Sequence, residues 1–264
     1  MHITEPITFT ALTRYAKTEQ PIYVMDIETT GLSLEHEIVE IGVHRLADGF
    51  TWNTLVKPER TRADETAHIT GITDDMVKDA PDINEALHEL DHYAPLDNAL
   101  IVAHNGHYFD VPRINHAREN AFSVDGVIET GQVIDTLYLA HKIIPWGGIA
   151  DYKLTTLLEY FDLPSDQRHR AGEDCEDTAR VLSRLLAASS AMTVPPETIT
   201  DLVDMSVRPV FPTSSEKEVR RLLKLVRKEL AKGTVTPENR RWLIRGYEDM
   251  YYQCYGALPD LRSL

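Results

Sequence analysis

The chain has 264 residues, 42% hydrophobic and 26% charged, a composition that excludes collagen-like, fibrous and disordered readings. Its 27 basic and 42 acidic residues give a formal charge of −15, a field that repels nucleic acid unless cations or a local basic face intervene. No apolar run reaches the roughly 18 residues of a membrane span, and the first residues lack the pattern of a secretory signal. A cytoplasmic setting is therefore expected (host cytoplasm for a viral chain), with no membrane partner.

In chain order, IYVMDI (Ile22–Ile27) reads as a first strand ending in a Thr30-Gly31 turn. EIVEIGVHRL (Glu37–Leu46) and FTWNTLV (Phe50–Val56) follow as strands joined by Ala47-Asp48-Gly49. Asp-Gly between strand-like runs is a hairpin signal, so these three strands predict an antiparallel meander. Asp82 and Glu85 have the D-x-x-E spacing that caps a helix, here running into ALHELDHYA. ALIVAH (Ala99–His104) reads as a buried strand, the segment from Asp110 as a helix, and QVIDTL (Gln132–Leu137) as another strand. Leu154, Leu157, Leu158 and Phe161 form one helical stripe; Cys175, Ala179, Leu182 and Leu186 form another, on a helix over roughly 173–190. The alternation predicts an α/β layer fold with a mixed sheet flanked by helices.

Pro195-Pro196 suits a linker, which places a boundary near Met192 and divides the chain into 1–192 and 193–264. Ser206–Gly246 holds eleven basic and four acidic residues, a net +7 that leaves −22 for the rest. This region reads as a small helical appendage. An S-x-x-E box at Ser215–Glu218 opens one helix, Thr236-Pro237 opens a second, and Gly233 lies between them. Its charge can steer a nucleic-acid backbone, or dock on the body or on a partner. Tyr247, Tyr251, Tyr252 and Tyr255 have a spacing that suits helix packing. Cys175 and Cys254 are too few for a disulfide framework or a zinc cluster.

Candidate chemistry sits in three places. Asp26 and Glu28 stand two apart at the first strand's end, so strand periodicity puts both carboxylates on one face, roughly 7 Å apart along the chain. Taken alone, that spacing equally describes a solvated strand end. AHNGHYFD (Ala103–Asp110) leaves a strand and puts Asp110 in the next helix's first turn, where the helix dipole favours an acid without any function. HRAGED (His169–Asp174) sets a histidine five residues before an aspartate, a pattern a structural histidine would also give.

Taken together, VMDIETTGL, VAHNGHYFD and HRAGEDCEDT resemble, in order and context, the three exonuclease motifs of the DnaQ-like (DEDDh) 3′→5′ exonucleases. The resemblance covers roughly residues 20–190, and ITGITDDMV, VIDTLYLA and KLTTLLEYFDLP read like segments of the same family. It implies a ribonuclease H-like fold with a five-stranded mixed sheet. It further implies that Asp26, Glu28, Asp110 and Asp174 hold metal while His169 acts as general base. Thr29 and Thr30 would hold the terminal 3′-OH, Leu32 would wedge against the terminal base, and Asn105 would bond a phosphate. The family often has a histidine where this chain has Thr70; His68, two residues earlier, is read as a packing residue.

Phosphodiester cleavage needs charge stabilised on both the attacking and the leaving oxygen, which two divalent ions about 4 Å apart provide. All-oxygen ligation points to Mg²⁺ or Mn²⁺ rather than zinc. A neutral imidazole beside the attacking water can take its proton. The expected activity is 3′→5′ exonucleolytic release of nucleoside 5′-monophosphates from single-stranded or frayed DNA, with RNA as the alternative substrate. A proofreading role bound to a DNA polymerase, or to another replication or repair partner, through the C-terminal region is the other expectation.

Overall fold

The computed structural model describes residues 8–121, 127–144, 149–164, 170–192 and 195–206, together with 223–224 and 227–228. The chain forms two compact units, Met1–Arg208 and Pro209–Leu264. In the second unit the four described residues are helical. Gly233, Thr236-Pro237, the four tail tyrosines and Cys254 lie outside the described residues.

The first unit runs α1 (Phe9–Thr18), β1 (Ile22–Thr29), β2 (Ile38–Arg45), β3 (Phe50–Leu55), α2 (Ala67–Thr70), α3 (Asp74–Val77), α4 (Ile83–Tyr93), β4 (Leu100–Ala103), α5 (Asp110–Asn120), β5 (Val133–Asp135), α6 (Thr136–Ile143), α7 (Leu154–Tyr160), α8 (Ala171–Ser189) and α9 (Ile199–Ser206). The sheet order is β3-β2-β1-β4-β5. β1, β2 and β3 pair antiparallel, whereas β4 and β5 join parallel to β1, giving the expected mixed five-stranded sheet. Gly49, at φ 78°, makes the predicted β2–β3 turn, and Asp48 accepts from the Phe50 amide at 3.2 Å and pairs with Arg45. The box at α4 is complete: Asp82 accepts from the Glu85 amide while the Glu85 side chain accepts from that of Asp82.

Strand alternation divides the apolar residues between two faces. Ile22, Val24, Val102 and Ile134 join α1, α6, α7, α8 and α9 in one core, while Tyr23, Met25, Ile27, Ile101 and Val133 join α4 and α5 in the other. The two stripes expected for α7 and α8 are buried or packed against the first core. At the end of β1 the pairing shifts from Glu28↔Glu40 to Thr29↔Ile38, so Val39 is bulged out. Val39 then packs with Ala63, Ile72 and Val77, which seats α2 and α3 beside the end of β1.

Three elements differ from expectation. QVIDTL is strand only over Val133–Asp135, because Asp135 caps a helix there by accepting from the Leu137 amide at 3.0 Å. α1 has its hydrophobic periodicity in the opening residues, where Leu12 is fully buried. α9 lies beyond the Pro195-Pro196 break but buries Leu202 and Val203 in the first core, and the Ser206 hydroxyl bonds the Val133 carbonyl oxygen at 3.2 Å. The proline pair therefore lies between α8 and α9 without ending the core, and the first unit continues past Met192 to Arg208. Among the described residues no helix is long and apolar enough to cross a membrane.

Candidate active site

Asp26 and Glu28 share the parity of Ile22 and Val24, so they emerge on the α8 face at the end of β1. α8 crosses that face with Asp174 in its first turn. One carboxylate oxygen from each of Asp26, Glu28 and Asp174 lies within 4.8 Å of the others, and all three residues are half-buried. Asp110 opens α5 and is 2% exposed; its Oδ1 accepts from the Ile27 amide at 3.1 Å. It thus sits beside the converging trio, fixed to the backbone between Asp26 and Glu28.

This clustering is costly for negative charge. Burial, then repulsion from Asp110, Asp174, Glu28 and Glu40, holds the Asp26 carboxyl well above the usual carboxylate range. Burial, then Asp174, Glu40 and Asp110, pushes Glu28 up to about 8, with Arg170 pulling the other way. Burial raises Asp110 to about 7 against the opposing hydrogen bond from Ile27. The buried Cys175 thiol, next in sequence to Asp174, is likewise pushed up by burial and by these acids. A set of hard oxygen donors that repel one another when ionised fits divalent cations, which relieve the repulsion and favour the ionised form.

Neighbouring contacts set the geometry. Asp135, fully buried at the end of β5, accepts from the amides of Asn105, His107 and Leu137 and so shapes the loop that delivers Asp110. Asn105 has φ 66° in that loop, and its side-chain oxygen is buried without a hydrogen bond. Thr66 donates its hydroxyl to the Thr29 carbonyl at 2.8 Å, tying α2 to the end of β1. Leu32 is 75% exposed, and its carbonyl accepts from Arg113, which stacks on Phe109 one turn after Asp110.

Thr29 and Thr30 close the turn after β1. Both are buried; the Thr29 hydroxyl donates to the Gly31 carbonyl at 2.7 Å, and that of Thr30 pairs with Thr61 at 2.8 Å and accepts from the Glu37 amide at 3.0 Å. These hydroxyls staple the β1–β2 turn. His68 is exposed on α2, which corrects its reading as a packing residue. His169 lies outside the described residues. Asp135, Glu40 and Arg113 were not singled out from sequence; the only local sign was a charge embedded in an apolar strand (Asp135, Glu40).

The chain matches the RNase_T family, described as Exonuclease, over residues 23–182. It is 36% identical over 175 residues to the DNA polymerase III PolC-type of Caldanaerobacter subterraneus subsp. tengcongensis, covering 65% of this chain and 12% of that protein. It is 32% identical over 185 residues to the DNA polymerase III PolC-type of Bacillus subtilis, covering 69% of this chain and 12% of that one. The chain thus spans only a small part of these relatives' length. Among solved structures it is similar to Exonuclease X in complex with 5′ overhanging duplex DNA, at 28% identity and TM-score 0.51, covering 70% of this chain and 99% of that one. The fold is also that of E. coli Exonuclease I with a dT13 oligonucleotide, at 15% identity and TM-score 0.55, covering 65% of this chain and 42% of that one. With more than half its length matched, this chain belongs to the RNase_T exonuclease family of divalent-metal-dependent nucleases.

Proposed function

We propose that the chain hydrolyses phosphodiester bonds from the 3′ end of single-stranded or frayed DNA, releasing nucleoside 5′-monophosphates. Asp26, Glu28, Asp110 and Asp174 would hold two Mg²⁺ or Mn²⁺ ions, which stabilise charge on the attacking and leaving oxygens. His169 takes the proton of the attacking water. Leu32 presents an apolar side chain to the terminal base, and Asn105 donates to a phosphate. Thr29 and Thr30 hold the terminal 3′-OH through backbone and hydroxyl groups of the turn they staple. The observation that carries the reading is the convergence of Asp26, Glu28 and Asp174 within 4.8 Å. DNA is favoured because the similar Exonuclease X structure holds duplex DNA.

End-labelled single-stranded DNA, duplex DNA and RNA, with and without Mg²⁺, test this for the parent and Asp110→Ala proteins. The expected result is Mg²⁺-dependent loss of mononucleotides from the DNA 3′ end by the parent alone. Faster trimming of RNA overturns the DNA preference, and cleavage by metal-free protein overturns the mechanism.

The PolC-type relatives favour a proofreading setting, in which residues 193–264 bind a polymerase. Co-purification of a polymerase that is lost on deleting residues 209–264, which leaves α9 in the core, supports it. Absence of any polymerase from the full-length preparation opposes it.

A further inference from the structure

Glu40 is an acid in an apolar strand. Its neighbours Ile41 and Val43 face the α4–α5 core, so Glu40 and Gly42 face α8. Glu40 is fully buried, opposite Glu28 across the β1–β2 ladder. A buried carboxylate persists only where donors saturate it, and Glu40 is surrounded by them. Arg170 Nε lies 3.0 and 3.1 Å from its two oxygens, and Arg170 Nη2 lies 2.6 Å from Oε1. The Ala171 amide donates to Oε2 at 3.0 Å, and Asn53 Nδ2 to Oε1 at 3.2 Å.

Arg170 and Ala171 are the N-cap and the first residue of α8, and Asn53 lies on β3. No side chain of α8's own N-cap satisfies its leading amides, so Glu40 supplies the cap from another strand. Gly42 lets the contact close: a Cβ there would stand 2.3 Å from the Ala171 carbonyl carbon. Asp174 follows Ala171 by three residues, and its amide donates to the Arg170 carbonyl at 2.9 Å. His169 is the residue before Arg170 in sequence.

We propose that Glu40 is a positioning residue for the reaction: by gripping Arg170 and the Ala171 amide it sets Asp174 in register with Asp26 and Glu28. The assignment rests on the function proposed above. Glu40 touches no substrate; it fixes the distance between acids on two elements that are far apart in sequence.

Glu40→Gln keeps the shape but replaces one acceptor oxygen with a donor facing donors. Four readouts test it: kcat and KM on a single-stranded oligonucleotide, Mn²⁺ affinity by calorimetry, and hydrogen exchange of the Ala171 amide. For E40Q we expect kcat to fall at least about tenfold with KM changed less than about threefold, Mn²⁺ binding to weaken about tenfold, and the Ala171 amide to exchange faster. Glu40→Asp, which keeps the charge, recovers part of kcat. Arg170→Lys, which keeps charge but loses the fork, reproduces the E40Q pattern and serves if E40Q does not fold. E40Q with parental kcat and Mn²⁺ affinity overturns the proposal, as does activity per folded molecule equal to the parent's. An inactive parent protein overturns the exonuclease reading instead, while the Mn²⁺ and exchange measurements still decide the role of Glu40.

Discussion

The Ile27 amide donates to Asp110 Oδ1 at 3.1 Å, and this bond stitches α5 to β1 between the strand's two acidic residues. A backbone amide there is fixed by the β1–β2 ladder, so the carboxylate it holds cannot drift from Asp26 and Glu28. Two elements 83 residues apart are locked beside the Asp26, Glu28 and Asp174 cluster.

Asp110→Asn retains an oxygen for the Ile27 amide and removes the charge. Activity is expected to fall on the order of a thousandfold, the scale of several kcal/mol of lost transition-state stabilisation. The metal-free protein should melt no lower than the parent, since a repelling carboxylate has gone. Initial rates and a melting curve in EDTA check this; a melting point well below the parent's would contradict it.

Stability should depend on pH with a definite sign. Glu28 and Asp110 have folded-state values near 8 and 7, above their ordinary values, so the folded protein binds protons that the unfolded chain releases. That contribution is lost as pH rises. The half-buried His104, depressed by desolvation to about 4, acts oppositely below its ordinary 6.5. Between pH 6.5 and 8 the carboxylates act without that offset, and the melting temperature in EDTA should fall across this interval. Saturating Mn²⁺ should flatten the slope, because ions stabilise the ionised form.

Gly42→Ala drives a Cβ to 2.3 Å from the Ala171 carbonyl carbon, a backbone atom that cannot turn aside. The expected cost is about 1–3 kcal/mol, with a loss of activity as α8 shifts. Gly172→Ala meets nothing nearer than the Asn53 side chain, at 3.3–3.4 Å, and alanine favours the helix, so it should be tolerated better. Comparing the two melting temperatures and kcat values checks the ranking.

Leu32→Ala removes a side chain that is 75% exposed, so stability should change by no more than about 0.5 kcal/mol. Activity on duplex ends should fall more than activity on single strands if Leu32 meets the terminal base. Equal losses on both substrates would assign Leu32 no part in opening an end.

Local rules carried much of the architecture. The Asp48-Gly49 turn, the Asp82–Glu85 box and the α7 and α8 stripes depend on neighbours within a few residues, and they formed where the spacing placed them. The same holds for the order of the acidic motifs, since Asp26 and Glu28 share a face by strand periodicity alone. α9 was hidden because its partners, β5 and α6, lie well before it in sequence, and the intervening Pro195-Pro196 pair mimicked an end. β5 ends before the apolar run does because Asp135 serves both as its last residue and as the cap of α6.

The sequence by itself determined which residues are acidic, on which elements they ride and which strand face Asp26 and Glu28 occupy. Only the tertiary structure decided that Asp174 converges with them, that Thr29 and Thr30 spend their hydroxyls inside the turn, and that Glu40 caps α8 from a neighbouring strand. The reason is physical: periodicity is a property of consecutive residues, whereas the partner of a buried charge is chosen by whatever the packed core brings within about 3 Å of it.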